Sequence, residues 1–315
     1  MNVLVTSAGT ASAINVIKAL RLQQDYAVRI LAVDADPTAA GLYLADEHAI
    51  VPKCSQADYI PKLLKLSEEH QIRALYPIYS QEIEVVAAHA PRFIERGIGL
   101  LLPKPDVVTL CNDKRRMYEL ATTLGISTPR MIGESDPLIF PLFAKPNTAS
   151  GTTGARQIND KEDWEYMKSK YPNLLYQEFV QGPEYTIDIL CDHKSNLIVG
   201  SPRLRLATKS GQSVKGKTVD EPTLVKLCAQ LCKAVGIVGP CNIQFIQRDD
   251  EFVFIELNPR YAAGGLMLTV HAGANLPVLA LKLMLGQAVT PAAIRPGVTM
   301  LRFWEEIFVT GEPIL

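Results

Sequence analysis

The chain has 315 residues, 48% of them hydrophobic and 21% charged, a length and composition that bury a sizeable core and fit two or three domains. Its 32 basic and 33 acidic residues nearly cancel, so no overall field argues for nucleic acid or an anionic membrane as partner. The opening MNVLVTSAGT lacks a basic stretch, apolar core and cleavage site, and the uncharged stretch 261–281 is broken by glycines, Asn275 and Pro277; neither export nor a membrane span is expected.

VLVT at 3–6, a helix over 13–22 and VRILAVD at 28–34 predict a βαβ opening. Further strands are predicted at 48–51, 74–79 and 99–102, with a helix over 59–69 whose apolar face carries Ile60, Leu63, Leu64 and Leu66. Together they imply an open parallel sheet covered by helices. Pro103 and Pro105 punctuate its end, and Asn112-Asp113 opens a helix from Lys114 to Leu124, which puts a boundary near 105–113. PLFAKP (141–146) and NLLYQEFV (173–180) then read as strands flanking a Gly/Thr loop and a charged helix, Lys161 to Lys170. After Gly182-Pro183, the β-rich runs at 184–191 and 196–206 predict an antiparallel hairpin. A helix over Pro222 to Val235, a strand pair at 242–247 and 251–258, and a helix near Pro277 to Leu285 complete the chain.

Six cysteines stand without a CxxC pair, as expected for reduced, mostly buried thiols in a cytoplasmic protein. Cys228 and Cys232 share a helix face and read either as small core residues or as half a metal site. The turn at Ser7 to Ala11, with Asp34 ending the second strand, invites a dinucleotide reading, but the fingerprint needs several spaced glycines and only Gly9 is present. In AKPNTASGTTG, Lys145 ends a strand six residues before a loop able to cover phosphates; it is not a Walker loop, and alone it also reads as a hairpin turn. Asn242 with Gln244, and Glu256 with Asn258, alternate on adjoining strands and so converge four oxygen-bearing side chains, suited to Mg²⁺ or to a solvated sheet face. Glu82, after a strand end, reads as an amine-recognising acid or as an acid at a helix N-terminus.

These segments, in this order, resemble the ATP-grasp superfamily, most closely stand-alone proteins similar to the synthetase domains of the carbamoyl-phosphate synthase large chain. The strings that carry the likeness are NDK (112–114), FAKP (143–146), SGTTG (150–154), QEFVQGPEYTIDI (177–189), NIQF (242–245) and IELNPR (255–260), and they extend over most of the chain. The resemblance implies an α/β protein, α+β in its C-terminal part, with a Rossmann-like domain (1–112), a small α+β lid (113–182) and an antiparallel-sheet subdomain carrying the metal site (183–315). It implies ATP and Mg²⁺ as cofactors, with Mn²⁺ able to substitute. Lys114 and Lys145 match the residues that contact ATP phosphates, and Gly151, Thr152, Thr153 and Gly154 match the mobile loop over them. Glu178, Phe179 and Val180 match the adenine-binding strand, and Glu184 matches the ribose acid. Gln244, Glu256 and Asn258 match the metal ligands, and Arg260 matches the arginine that steadies the transferring phosphoryl group. The basic run of Arg203, Arg205 and Lys209 reads as an acceptor site or as a solvated edge.

The expected activity is ATP-dependent ligation of a small carboxylate to an amine, without nucleic acid or membrane partners and with a homodimer left open. The rivals are phosphorylation of bicarbonate or carbamate, as in carbamoyl-phosphate synthases, and a non-catalytic ATP-binding module. At 315 residues the chain has no room for the second synthetase half or the oligomerisation region of the larger synthetases, so carbamoyl-phosphate synthesis by this chain alone is not expected.

Overall fold

A computed structural model of the chain describes residues 1–133, 135–148, 154–171 and 173–310. Its first unit is built from β1 (Asn2–Val5), α1 (Ala11–Arg21), β2 (Arg29–Asp34), β3 (Glu47–Ile50), α2 (Tyr59–Glu69) and β4 (Ile72–Tyr76). The strands form a parallel sheet in the order β3-β2-β1-β4. Thr10 caps α1 by accepting from the Ala13 amide, and α2 spans the predicted residues because its apolar positions recur on one face. The predicted strand at 99–102 does not form as an element: only Gly99 bridges to Ala74. Pro103 and Pro105 follow at once and deny the ladder their amides.

The helices α3 (Ser80–Ala88), α4 (Ala90–Ile94), α5 (Pro105–Asn112) and α6 (Lys114–Thr123) lead to a three-stranded antiparallel sheet. This sheet contains β5 (Leu142–Pro146), β6 (Arg156–Ile158) and β7 (Leu174–Glu178), in the order β6-β5-β7, with α7 (Lys161–Lys170) between β6 and β7. Trp164 and Met167 of α7 pack on Leu142, Ala144 and Ile158, giving this sheet its own small core. Helix α6 instead lends Met117, Tyr118 and Ala121 to the core of the next sheet.

That sheet has six antiparallel strands in the order β12-β11-β8-β9-β10-β13. They are β8 (Glu184–Cys191), β9 (Leu197–Lys209), β10 (Gln212–Thr218), β11 (Gly239–Arg248), β12 (Glu251–Asn258) and β13 (Thr299–Leu301). Helix α8 (Pro222–Val235) covers one face, burying Leu224, Cys228, Leu231 and Cys232 against Ile187, Ile189 and Ile243. Cys228 and Cys232 are thus core residues, the latter 3.8 Å from the Cys241 sulfur. The sequence reading missed β10 and β13, because polar QSVKGKT and the short TML carry no apolar alternation. Helices α9 (Leu266–His271) and α10 (Leu276–Met284) return to the first unit, where Leu276, Val278 and Leu281 join a core with Val3, Val5 and Ile17.

Candidate active site

A cavity of about 520 Å³ lies between the two antiparallel sheets. Strand alternation explains its lining. Along β8 and β11, Tyr185, Ile187, Ile189, Cys241, Ile243 and Phe245 enter the core, while Glu184, Thr186, Asn242 and Gln244 face the cavity. In β12 regular alternation would put Glu256 on the core side with buried Phe254. A β-bulge prevents this: Gln244 pairs with Glu256, but the next residue, Phe245, pairs with Phe254, leaving Ile255 as the extra residue. Ile255 and Glu256 therefore both line the cavity, and Leu257 returns to the core.

Glu256 is the hub of the polar end. Its Oε1 accepts from Gln244 Nε2 (2.8 Å) and Asn258 Nδ2 (2.9 Å), and Asn258 Nδ2 also approaches Asn242 Oδ1 (3.4 Å). Asn242 in turn donates to the Arg260 carbonyl (2.9 Å), shaping the Asn-Pro-Arg turn. Arg260 donates through Nε to Ser80 Oγ (3.1 Å) and through Nη1 to the Tyr261 carbonyl (3.2 Å), which ties the first unit to the cavity. Burial lowers the Arg260 pKa, and the Glu256 charge partly opposes that.

Lys145 is buried at the end of β5 and donates to Tyr118 Oη at 2.6 Å. The Tyr118 hydroxyl also lies 3.0 Å from the Ile255 carbonyl at the bulge and 3.1 Å from Gln177 Oε1. Burial pushes Lys145 down to about 8, Glu256 acting against it and Lys114 with it. Lys114 is also lowered by burial, opposed by Glu256. Its Nζ lies 3.4 Å from the Asn147 carbonyl, and Asp113 caps α6 through the Arg116 amide (3.1 Å). Sequence reasoning missed Tyr118; the available signal was its position one helical turn after Lys114.

Five cations, Lys114, Lys145, Arg203, Arg205 and Arg260, and two carboxylates, Glu184 and Glu256, are among the described residues lining the cavity. Phe143, Phe179, Val180 and Ile246 contribute apolar surface, with the Phe143 and Phe179 rings 6.4 Å apart. The Glu178 side chain does not join them: it turns away to Arg248 Nη1 (2.9 Å) and the Arg130 amide (3.1 Å). Gly154 adopts a left-handed φ of +79°, while Gly151, Thr152 and Thr153 lie outside the described residues. The three basic residues after β8 part company. Arg203 is buried, Arg205 bridges Glu184 (3.0 Å) and Gln244 Oε1 (3.1 Å), and Lys209 sits 5.5 Å from the Trp304 ring centroid.

Two readings left open in the first unit are decided by the geometry, Glu82 as an acid at the N-terminus of α3 and the β1–α1 segment as a tight turn. Glu82 is buried, its Oε2 accepting from Thr6, Ser7 and the amides of Ile78 and Tyr79 and its Oε1 from Tyr59, so the carboxylate faces protein donors rather than an amine substrate. Asp34 accepts from the Gly9 amide (2.7 Å) and the Asp36 amide (2.9 Å), closing the β1–α1 turn on itself.

Among the described residues, no group of three or more His, Cys, Asp or Glu could hold a metal. Glu256 with the amides of Gln244 and Asn258 offers a different set, one carboxylate and two carbonyl oxygens. An amide exchanges its nitrogen for its oxygen by a half-turn, and Mg²⁺ commonly takes one or two carboxylates plus substrate phosphates, so these residues fit that cation.

Residues 3–101 match the family described as PylC-like, N-terminal domain, and residues 170–303 match the family described as ATP-grasp in the biosynthetic pathway with Ter operon. The carbamoyl phosphate synthase large chain of Clostridium beijerinckii is 28% identical over 216 residues, covering 61% of this chain and 20% of that one. Its counterpart in Agathobacter rectalis is 26% identical over 230 residues, covering 65% of this chain and 21% of that one. The matches thus span about one fifth of the relatives' length. The biotin carboxylase domain of Hydrogenobacter thermophilus 2-oxoglutarate carboxylase, solved with MgADP, ADP and bicarbonate, superposes with a TM-score of 0.71 at 19% identity, covering 95% of this chain and 73% of that one. An L-amino acid ligase from Bacillus licheniformis superposes with a TM-score of 0.68 at 15% identity, covering 90% and 74%. No described helix is long and apolar enough to cross a membrane. With two family matches in succession along the chain and the three-sheet architecture shared with these enzymes, the protein belongs to the ATP-grasp superfamily.

Proposed function

We propose that the chain is an ATP-dependent ligase that activates a carboxylate as an acyl phosphate for attack by an amine. The observation that carries this reading is the convergence of Lys114, Lys145 and Arg260 on Glu256, whose carboxylate also collects the amides of Gln244 and Asn258. Such a cationic cavity suits a polyphosphate, and its apolar Phe143, Phe179 and Val180 surface suits a base. Glu178 would contribute through its backbone only, Glu184 would serve the ribose, and Gly151 to Gly154 would cover the phosphates. Gln244, Glu256 and Asn258 would hold Mg²⁺, which when bound supplies charge compensation for the transferring phosphoryl group.

The chain's own residues do the positioning. Lys145 and Lys114 carry positive charge toward the phosphates, and Arg260, braced by Ser80 and the Tyr261 carbonyl, presents its guanidinium to the equatorial oxygens. The bond from the γ-phosphorus to the bridging oxygen breaks as one to a substrate carboxylate oxygen forms, and ADP leaves. The amine nitrogen then bonds to the acyl carbon, the carbon–oxygen bond to phosphate breaks, and the net reaction releases ADP, phosphate and a proton. The fold is common to the L-amino acid ligase and the bicarbonate-bound biotin carboxylase domain, so phosphorylation of bicarbonate is the alternative reading, for which bicarbonate-dependent ATP hydrolysis would speak.

Purified protein with ATP, Mg²⁺ and a panel of carboxylates and amino acids should release phosphate with at least one pair. Glu256→Gln should lower that turnover about 10²–10³-fold. Normal ATP binding without turnover on any pair overturns the ligase reading, and full activity of the variant overturns the role of Glu256.

A further inference from the structure

Beyond the polar cluster the cavity runs between the tip of the β9–β10 hairpin, from Thr208 to Ser213, and the small residues Ala262, Ala263 and Gly264. Its wall there contains Arg203, only 2% exposed. The guanidinium is held on three sides. Nε and Nη2 grip Asp188 at 3.0 and 3.2 Å, Nη1 donates to Ser213 Oγ at 3.2 Å, and Thr269 fixes Asp188 from behind at 2.7 Å. Gly265 lies flat against it: a Cβ there would fall 2.0 Å from Arg203 Cζ. An ion pair that served stability alone gains little over hydrocarbon once desolvated, whereas this one holds a guanidinium rigidly at a cavity wall. After these bonds Nη1 and Nη2 each keep one N–H.

A second cation stands beside it. Arg302, exposed just past the end of β13, donates through Nη1 to Gln212 Oε1 at 3.3 Å. Asp188 balances the charge of Arg203, and Arg302 makes no ion pair among the described residues, so the net positive charge near this end of the cavity is that of Arg302.

We propose that this end of the cavity is the acceptor subsite, in which Arg203 binds a carboxylate that does not react, carried by the amine substrate. The substrate class is then the amino acids, with Ala262, Ala263 and Gly264 leaving room for the group that carries the amine. This inference rests on the ligase reading and deepens it. Arg203 is a specificity-determining residue, Asp188, Ser213 and Thr269 position it, and Gly265 gives it space. A dicarboxylate whose second carboxylate occupies the same place is the other source of this chemistry.

The test uses the full chain with Mg²⁺ and ADP, and the twenty L-amino acids, their amides and a series of dicarboxylates as probes. Binding is read as a shift in melting temperature, and phosphate release is read in parallel with ATP. At least one free amino acid should bind, with its amide at least about tenfold weaker. Arg203→Lys keeps the charge but loses the fork, and should weaken that amino acid about tenfold while Mg-ATP affinity stays within about twofold. Should that variant not fold, Ser213→Ala, which frees Nη1, is expected to weaken it several-fold. Equal binding of amide and acid, or unchanged affinity in a folded variant, overturns the subsite. A dicarboxylate that binds without any amino acid doing so overturns the assignment to the amine. Failure of the ligase reading looks different: an amino acid binds in an Arg203-dependent way, yet no phosphate is released.

Discussion

Raising the pH from 7 to 9 should weaken nucleotide binding about tenfold, with Lys145 as the cause. Burial, the largest influence, lowers this lysine from 10.5 to about 8; Glu256 holds it up and Lys114 pushes it further down. At pH 7 about ten in eleven unliganded molecules carry a charged Lys145, and at pH 9 about one in eleven do. If only the ammonium form engages phosphate, the apparent dissociation constant rises by the ratio of these fractions, and binding at pH 8 draws about half a proton from solution. Calorimetric titration of Mg-ATP in buffers of different ionisation enthalpy reads both quantities. Lys145→Met should bind weakly at pH 7 and show a flatter profile, the residual slope belonging to Lys114, which burial also lowers. A wild-type affinity constant from pH 7 to 9 without proton uptake, or a variant with the wild-type slope, would refute the reasoning.

Tyr118→Phe deletes the hydroxyl that accepts from Lys145 and reaches both the Ile255 carbonyl and Gln177. It should cost about 1–3 kcal/mol in urea unfolding and move the pH dependence to lower values, since the buried ammonium loses an acceptor; an unchanged profile counts against the contact. Glu82→Gln leaves part of a five-donor cage unmatched and should destabilise the protein by about 1–3 kcal/mol without altering the choice of amine, and a shift in amine preference would reinstate Glu82 as a receptor. Glu178→Ala should leave nucleotide affinity within about twofold and cost at most about 1 kcal/mol, because its partly exposed pair with Arg248 points away from the cavity; a fivefold loss of affinity would show that the side chain reaches the ligand.

The chain's local chemistry made much of this legible. Apolar periodicity placed α2, whose buried residues form one stripe, and the runs read as helices at 161–170 and 222–235 coincide with α7 and α8. Alternation placed β8, β11 and β12, and the order of short polar strings pointed to the superfamily. Local signals failed where partners lie far away in sequence. The run at 99–102 has the composition of a strand but makes a single bridge, while β10 and β13 lack that composition and exist because β9 offers β10 an edge and β10 in turn offers one to β13. Glu82 could be read as receptor or cap, and only its five donors, drawn from α2 and from the two turns after β1 and β4, decide between them. The metal candidates show the division most sharply. Their identities are written in the sequence, but plain alternation would place Glu256 on the same face as buried Phe254. The β-bulge at Ile255 turns Glu256 into the cavity, and the cross-strand register that produces the bulge belongs to the pairing of β11 with β12, not to either strand alone.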